Sequence, residues 1–468
     1  MTARTKTIWT FVITSIALFM VTLDNLVVTT AIPVIRQDLN ASLEDLEWTV
    51  NAYTLTFAVL LLTGAALGDR FGRRRVFAIG LGVFTLGSIA AALAPNVETL
   101  NLSRALQGLG GAIVMPLTLT ILSAAVPKDK RGLALGAWGG ISGLAVAFGP
   151  VVGGAVVQGL SWQWIFWLNV PIGLLLIPLA LSRLQETFGP GGKLDLVGLA
   201  LASTGLFGIV WGLIQSNGQG WTSPEIVGSL AAGLALVASF VAWELRTATP
   251  MLPMRFFRIP AFALANLASL FMFFGMFGSI FLLSQFFQTV QGYSPLGAGL
   301  RILPWTLAPM FISPLAGAMS DRIPGKTLVG VGLSLQAGSL AWLGLVSTPT
   351  VAYSALIGPF VLAGIGMSLF FAPMANIVLS AVRPEEEGQA SGANNAVREL
   401  GGVFGVAVLA SVFAGYGGYE SGQAFSDGMN PALVIGGIVV GLGAAAAFAI
   451  PGRQRRPEGV GEPVLDTA

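Results

Sequence analysis

Long apolar runs dominate this chain and leave it no route to a water-soluble fold. Fourteen stretches, at about 8–34, 47–67, 74–94, 98–125, 132–157, 162–182, 195–215, 224–243, 260–287, 294–319, 326–346, 350–380, 391–415 and 430–450, are mostly apolar. Each has the roughly 20 residues an α-helix needs to cross a bilayer core. The connections are short, about 16 residues at most, so no soluble domain is inserted. A β-barrel needs segments of about ten residues that alternate apolar and polar, and runs such as Val59-Leu60-Leu61-Leu62 do not alternate. The predicted class is an all-α integral membrane protein. Only 10% of the 468 residues are charged, against about 25% in a soluble domain. The 61 glycines and 25 prolines fit a helical bundle in lipid, where small residues allow close approach and neighbouring helices satisfy broken backbone bonds. With no Cys and no His, disulfides, Cys/His zinc sites, haem attachment and histidine catalysis are excluded. A net charge of +2 is too small to indicate a nucleic-acid partner.

The basic residues give the bundle a direction. With a cytoplasmic N-terminus, all but four of the 24 Lys and Arg fall in cytoplasmic loops or tails; Arg36 lies in an outside loop, and Arg104, Arg301 and Arg398 lie within spans. One helix more or fewer would destroy this bias, so it also supports the count of fourteen. An even count puts the C-terminus in the cytoplasm too. The first run is too long for the apolar core of a signal peptide and lacks a clear small-x-small cleavage site, so it is expected to be retained.

Two loops repeat. Leu67-Gly68-Asp69-Arg70-Phe71-Gly72-Arg73-Arg74-Arg75 joins spans two and three, and Gly317-Ala318-Met319-Ser320-Asp321-Arg322-Ile323-Pro324-Gly325-Lys326 joins spans ten and eleven. Each follows the second span of a six-span block. The expected organisation is a six-helix bundle at 1–185, two additional linking helices at 186–250, a second six-helix bundle at 251–452 and a short cytoplasmic tail at 453–468. Many transporters consist of such repeats, with the substrate between the halves near the midplane. Asp69, Arg70, Gly72 and Arg73, matched by Asp321 and Arg322, suit a conformational latch. Asp69 can cap a neighbouring helix N-terminus, and the arginines can pair with carboxylates or anionic lipid headgroups. Ordinary positive-inside charge is the plainer reading of Arg73–Arg75 taken alone.

These motifs resemble the major facilitator superfamily, and within it the fourteen-helix drug:proton antiporters. Span one carries Leu23-Asp24-Asn25-Leu26-Val27-Val28-Thr29-Thr30-Ala31-Ile32-Pro33, similar to the family's Leu-Asp-x-Thr-Ile-Val-Asn-Val-Ala-Leu-Pro, from which Asn25-Leu26 and Thr29-Thr30 depart. The loop after span two is the superfamily's loop motif, with Ala65 where a leading Gly is expected. Span four carries Arg104-Ala105-Leu106-Gln107-Gly108, which resembles the Arg-x-x-Gln-Gly motif. Span five carries Gly136, Ala145, Gly149-Pro150 and Gly153-Gly154, similar to the antiporter signature with one glycine replaced by Ala145. The resemblance covers essentially the whole chain. It implies the major facilitator fold, export rather than uptake, and no cofactor beyond a proton gradient.

Ionisable residues within spans are functional candidates by default. Asp24 lies roughly 15 Å below the outer end of its span and Arg104 roughly 10 Å, at 1.5 Å per residue, so contact is plausible. Burial disfavours the charged carboxylate and a nearby guanidinium favours it, which poises the acid to take or release a proton. The resemblance places proton coupling at these two residues, with Glu399 as second choice. A permanent structural ion pair is the alternative. Gln107, one turn on, can bond either the pair or the substrate. Arg301 and Arg398 resemble basic residues of the family's second half, or snorkel near span ends; Trp305, four residues after Arg301, can stack on it. Glu399 and Arg398 point about 100° apart. Gly149, Pro150, Gly153 and Gly154 permit close packing and a bend at the interface between the halves. Asn25, Tyr53, Phe57, Gln107, Arg301 and Trp305 are candidates to line a substrate cavity, although core packing is the plainer reading for the aromatics. Trp9, Trp48, Trp162, Trp164, Trp167, Trp221 and Trp243 fall near span ends, as in an aromatic belt.

The expected function is secondary export of lipophilic, drug-like compounds across the cell membrane in exchange for protons, by alternating access. No nucleophile–base pair, metal cluster or nucleotide loop argues for an enzyme. The expected partners are a small lipophilic substrate, protons and membrane lipids, with the chain acting as a monomer. The alternatives are a dedicated exporter of an endogenous metabolite or antibiotic, and a lipid-handling or non-transporting membrane protein. Peptide symport is disfavoured because span one lacks Glu-x-x-Glu-Arg.

Overall fold

The computed structural model describes residues 3–127, 131–189, 195–248, 250–319, 322–383 and 386–451. Among the described residues there are helices and connecting turns and no strand. The first group of helices is α1 (Ala3–Leu39), α2 (Leu43–Phe71), α3 (Arg73–Ala92), α4 (Val97–Ala125), α5 (Arg131–Gly159), α6 (Trp164–Trp167) and α7 (Asn169–Arg183). A hairpin of α8 (Leu196–Gln219) and α9 (Pro224–Glu244) follows. The second group is α10 (Pro260–Gln285), α11 (Pro295–Thr306), α12 (Ala308–Met319), α13 (Gly325–Val346), α14 (Tyr353–Ser380), α15 (Glu387–Tyr416) and α16 (Gly422–Phe448). Among the described residues, thirteen helical runs are long and apolar enough to span a membrane, α6–α7 and α11–α12 each forming one run. The 29-residue α5 supplies the fourteenth apolar helix.

Two spans expected to be continuous are broken. The run 162–182 divides at Leu168, because Pro171 has no N–H and its ring conflicts with the carbonyl four residues back, at Trp167. The run 294–319 divides at Leu307, with Pro309 just beyond. Span one is longer than expected, since α1 continues to Leu39. Polar residues start several helices. Ser42 and Asp45 form a reciprocal capping box on α2, and Asn96 accepts from the Thr99 N–H at the start of α4 (2.9 Å).

The start of α1 and the α2–α3 turn mark one face, and the α1–α2 and α3–α4 turns mark the opposite, or far, face. Buried fraction separates helices by place: 83% of the apolar window of α10 is buried against 17% for α9. Helix α10 thus runs through the middle of the molecule and α9 faces lipid. The two groups meet where α5 packs on α11, α2 on α15 and α1 on α10. The span-five glycines serve two neighbours. Gly149 and Gly153 lie against Leu26, Val27 and Thr30 of α1, whereas Gly154 lies against Pro295 and Leu296 of α11; reciprocally, Gly299 meets Pro150. A side chain at any of these glycines would collide with its neighbour, which is why small residues recur there. Toward the far face, Ser284 donates to the Thr29 carbonyl (2.9 Å) and Gln288 to the Thr30 carbonyl (2.9 Å). Gln288 belongs to a π-turn, Phe286–Val290, that ends α10. These bonds tie the seam between the groups together toward the far face.

The aromatic belt needs one correction. Trp162 is buried, and its indole N–H donates to Asp38 (2.6 Å). The sharp turn ahead of α6 folds this ring inward as a tie to the end of α1.

Candidate functional site

Helices α1, α2, α3, α4 and α7 converge on a buried polar network. Arg104 Nη1 donates to Asp24 Oδ2 at 2.5 Å, and both side chains are 0% exposed. The same Nη1 donates to Gln107 Oε1 (2.8 Å), and Arg104 Nε donates to the Thr49 carbonyl (3.2 Å). Gln107 Nε2 donates to Asp24 Oδ1 (3.2 Å) and to Ser88 Oγ (2.8 Å). Asn169 Nδ2 donates to Asp24 Oδ1 at 2.6 Å. The carboxylate thus receives three donors, one of them charged, which is what holds an ionised acid in an apolar interior. Tyr53 lies face-on to the guanidinium, 4.3 Å from ring centre to Cζ, and Phe166 adds a second face at 5.8 Å. Arg104 Nη2 remains unpartnered.

Asn169 and Ser88 are essential to this arrangement, yet neither carries a charge, so a search for ionisable residues passes over them. The readable signal is Pro171: it breaks the sixth span one turn from its far-face end and leaves Asn169 as the first residue of α7, free to aim inward. Gln107 joins the ion pair rather than an open cavity. Tyr53, Phe57 and Trp305 are all at most 3% exposed. Phe57 stacks on Tyr53, and Trp305 on Phe360. Asn25 is half-buried with Oδ1 unpartnered.

Arg301 does not stack on Trp305. Its guanidinium lies 3.3 Å from the Tyr293 ring centre and 5.2 Å from that of Tyr353, because the side chain extends back toward the N-terminal end of α11. Arg398 packs over Phe273 (4.3 Å) and bonds Asn395 (3.2 Å), and Glu399 is half-buried with Oε2 unpartnered. Among the described residues, no hydrogen bond or ion pair joins Glu399 to the Asp24 network.

The latch also differs from expectation. Asp69 does not cap a helix: its Oδ1 pairs with Arg73, which donates from Nε at 2.8 Å. The start of α3 is instead capped by Glu186, which accepts from the Arg74 N–H (2.9 Å) and faces the Arg74 and Arg75 guanidinium groups at 3.5 and 3.6 Å. The Arg73 N–H donates to the Thr187 carbonyl (2.9 Å). Gly72 has φ +103° and lies against the Glu186 carboxyl, so a Cβ there would be both strained and blocked. Arg70 lies over Phe71. The first loop is thus tied to the segment after α7. In the second half Arg322 is exposed, and Asp321 lies outside the described residues, as does the tail 453–468. On that face Glu386 accepts from Arg383 (2.6 Å) and pairs with Arg255 (2.7 Å), and the Arg383 hydrogen bond holds its carboxyl down to about 2. Among the described residues no group of three or more His, Cys, Asp or Glu is placed to hold a metal ion.

Comparison with known proteins identifies the family and the fold. Multidrug resistance protein Stp of Mycobacterium tuberculosis (strain CDC 1551 / Oshkosh) is 36% identical over 409 residues, covering 87% of this chain and 76% of that protein. The tetracenomycin C resistance and export protein of Streptomyces glaucescens is 34% identical over 409 residues, covering 86% and 76%. A bacterial homologue of the human lysosomal transporter Spinster, solved in an inward-facing and unoccupied conformation, superposes with a TM-score of 0.67 at 18% identity, covering 95% of this chain and 96% of that one, and so shares the fold. The Major Facilitator Superfamily model matches residues 14–406. A multi-pass cell-membrane protein with these relatives is a transporter and not an enzyme, and the chain belongs to the Major Facilitator Superfamily.

Proposed function

We propose that this protein exports lipophilic, antibiotic-like compounds from the cytoplasm in exchange for protons, by alternating access between a first six-span unit at 1–185 and a second at 251–452. The observation that carries the reading is the Asp24–Arg104–Gln107–Asn169 network, an enclosed acid whose partners come from several helices. In one access state Asp24 is ionised and paired with Arg104; on taking a proton it releases that partner, and the freed guanidinium drives the helices to rearrange. An intramembrane charge cannot be left unpaired, so proton uptake and helix movement become one event. The glycine contacts between α5 and α11 provide a sliding surface that stays closed to proton leak. In this reading the basic loops, including the α2–α3 turn, face the cytoplasm and their arginines meet anionic lipid. The transporter works as a monomer and needs no cofactor other than the proton gradient.

One relative is named for multidrug resistance and another for a single antibiotic, so the breadth of cargo is the open variable. It is measured by a susceptibility panel in a host stripped of its own exporters. The expected result is reduced susceptibility to lipophilic neutral or monocationic antibiotics that disappears when an uncoupler collapses the proton gradient. Protection that survives the uncoupler contradicts proton-driven export.

A further inference from the structure

Glu47 is a carboxylate that the coupling network does not use. It lies in the second turn of α2, is 0% exposed, and neither of its oxygens meets a hydrogen-bond donor. One turn deeper, Asn51 is equally enclosed, with both amide atoms unpartnered. Neighbouring residues fix the direction this pair faces. Trp48 packs on Phe207 of α8, Thr49 bonds Asn101 of α4, and the Tyr53 hydroxyl donates to the Val21 carbonyl of α1. At about 100° per residue, Glu47 and Asn51 fall on the remaining side, toward the second group of helices. Tyr419 lies in the turn between α15 and α16, on the same far face; burial pushes its hydroxyl up and the Arg36 guanidinium pulls it down. The Arg36 guanidinium stacks 3.4 Å from the Tyr419 ring centre, and the Tyr419 hydroxyl donates to Gln285 of α10 (2.5 Å). Arg36, Tyr419 and Gln285, drawn from both groups of helices, thus form a cluster beside Glu47 at the far-face seam.

We propose that Glu47 is a second proton-binding site, separate from the Asp24 network, whose occupancy is tied to closure of the far-face seam. With the seam closed, Glu47 has no donor, and Arg36 is committed to the Tyr419 ring. An isolated ionised carboxylate is too costly to keep in such a place, so the group is held there as the neutral acid. Opening the seam admits water, and the proton leaves. A proton that binds only the closed form pulls the equilibrium toward closure, so acid on the far face closes the seam. The charged and titratable groups around Glu47 are Glu44 and Asp45 on its own helix, Arg36 on α1 and Tyr419. Asp45 is committed to the Ser42 capping box. Helices α8 and α10 contain no ionisable residue, and Arg398 and Glu399 of α15 lie deeper.

This inference rests on the alternating-access reading, and its test separates the two. The chain has no cysteine, so Gln288→Cys places a single thiol at the seam. Its labelling by a membrane-impermeant reagent from the far side is measured between pH 8 and pH 5.5 and normalised to Gln219→Cys, which is exposed. In the Gln288→Cys background, labelling is expected to fall about fivefold or more as the pH drops, within the tenfold per pH unit that one linked proton allows. Adding Glu47→Gln, or Glu47→Ala as an independent variant, is expected to leave labelling low and without pH dependence, because neither side chain can carry the charge that disfavours closure. If both variants keep the pH response while export persists, Glu47 is not the linked group and the inference is overturned. A pH-independent Gln288→Cys protein that still exports overturns it as well. A protein that neither exports nor changes accessibility overturns the transport reading itself.

Discussion

Between α1, α3, α4 and α7 a carboxylate and a guanidinium are enclosed together, and neutral amides add hydrogen bonds to both. The second half encloses a polar cluster between α10 and α15, but there the members are neutral: Asn394 Nδ2 donates to Asn266 Oδ1 and to Ser269 Oγ, both at 3.1 Å. The Arg398 guanidinium rests on the rings of Phe273 and Phe371, and among the described residues no ion pair joins it to an acid. A neutral amide cluster has one state and specifies how two helices pack. An enclosed ion pair has two states, because a proton can separate its members. In the proposed reading the two halves divide the work, the first handling the coupled proton and the second offering a packed counter-surface.

Exchanging the two arginines gives the largest contrast. Arg104→Ala leaves Asp24 enclosed without its charged partner, and breaking such a pair costs about 3–5 kcal/mol. Proton-driven export is expected to fall roughly a hundredfold or more, at 1.4 kcal/mol per factor of ten, and to fail at low outside pH before it fails at high pH. Arg398→Ala removes ring contacts and one bond within its own helix, worth about 1 kcal/mol, so export should fall only severalfold. Initial rates in vesicles with an imposed pH gradient provide the check. Equal losses in the two variants would break the division between the halves.

The amides sharpen the comparison on a smaller scale. Asn169→Ala removes a hydrogen bond to a charged group, worth about 1.5–3 kcal/mol, and should lower export about tenfold or more in protein that still folds. Asn394→Ala removes neutral bonds worth about 1 kcal/mol each. It should lower the unfolding temperature while leaving the rate per folded molecule near that of the parent. Thermal unfolding and transport measured on the same preparations separate these effects. The division fails if Asn394→Ala costs transport and Asn169→Ala costs only stability.

Sequence made some of this legible and hid the rest for identifiable reasons. Asp24 and Arg104 stand out because charge is rare in apolar runs, and their similar depth suggests the contact that the structure has. Asn169 and Ser88 look like ordinary polar residues of a span, and only the Pro171 break hints that one of them turns inward. Glu47 falls at a span boundary, where hydropathy cannot tell a solvated acid from an enclosed one. Arg301 shows that sequence spacing is a weak guide to a stacking partner: Trp305 is one turn away on the same helix, but the side chain reaches back to Tyr293. The loop after span two was readable as a charged tie, whereas its anchor, Glu186, lies more than a hundred residues away and becomes a partner only through the fold.

The central claim is that Asp24 carries the coupled proton. The most direct measurement is the number of protons released when a saturating antibiotic is added to the purified, weakly buffered transporter in detergent, compared between the parent and Asp24→Asn. Asn keeps the polar volume and mimics the protonated acid, so a neutral antibiotic should still bind. The account predicts proton release from the parent and none from Asp24→Asn at equal occupancy. Release of the same size from Asp24→Asn would contradict it and move the proton site elsewhere in the bundle.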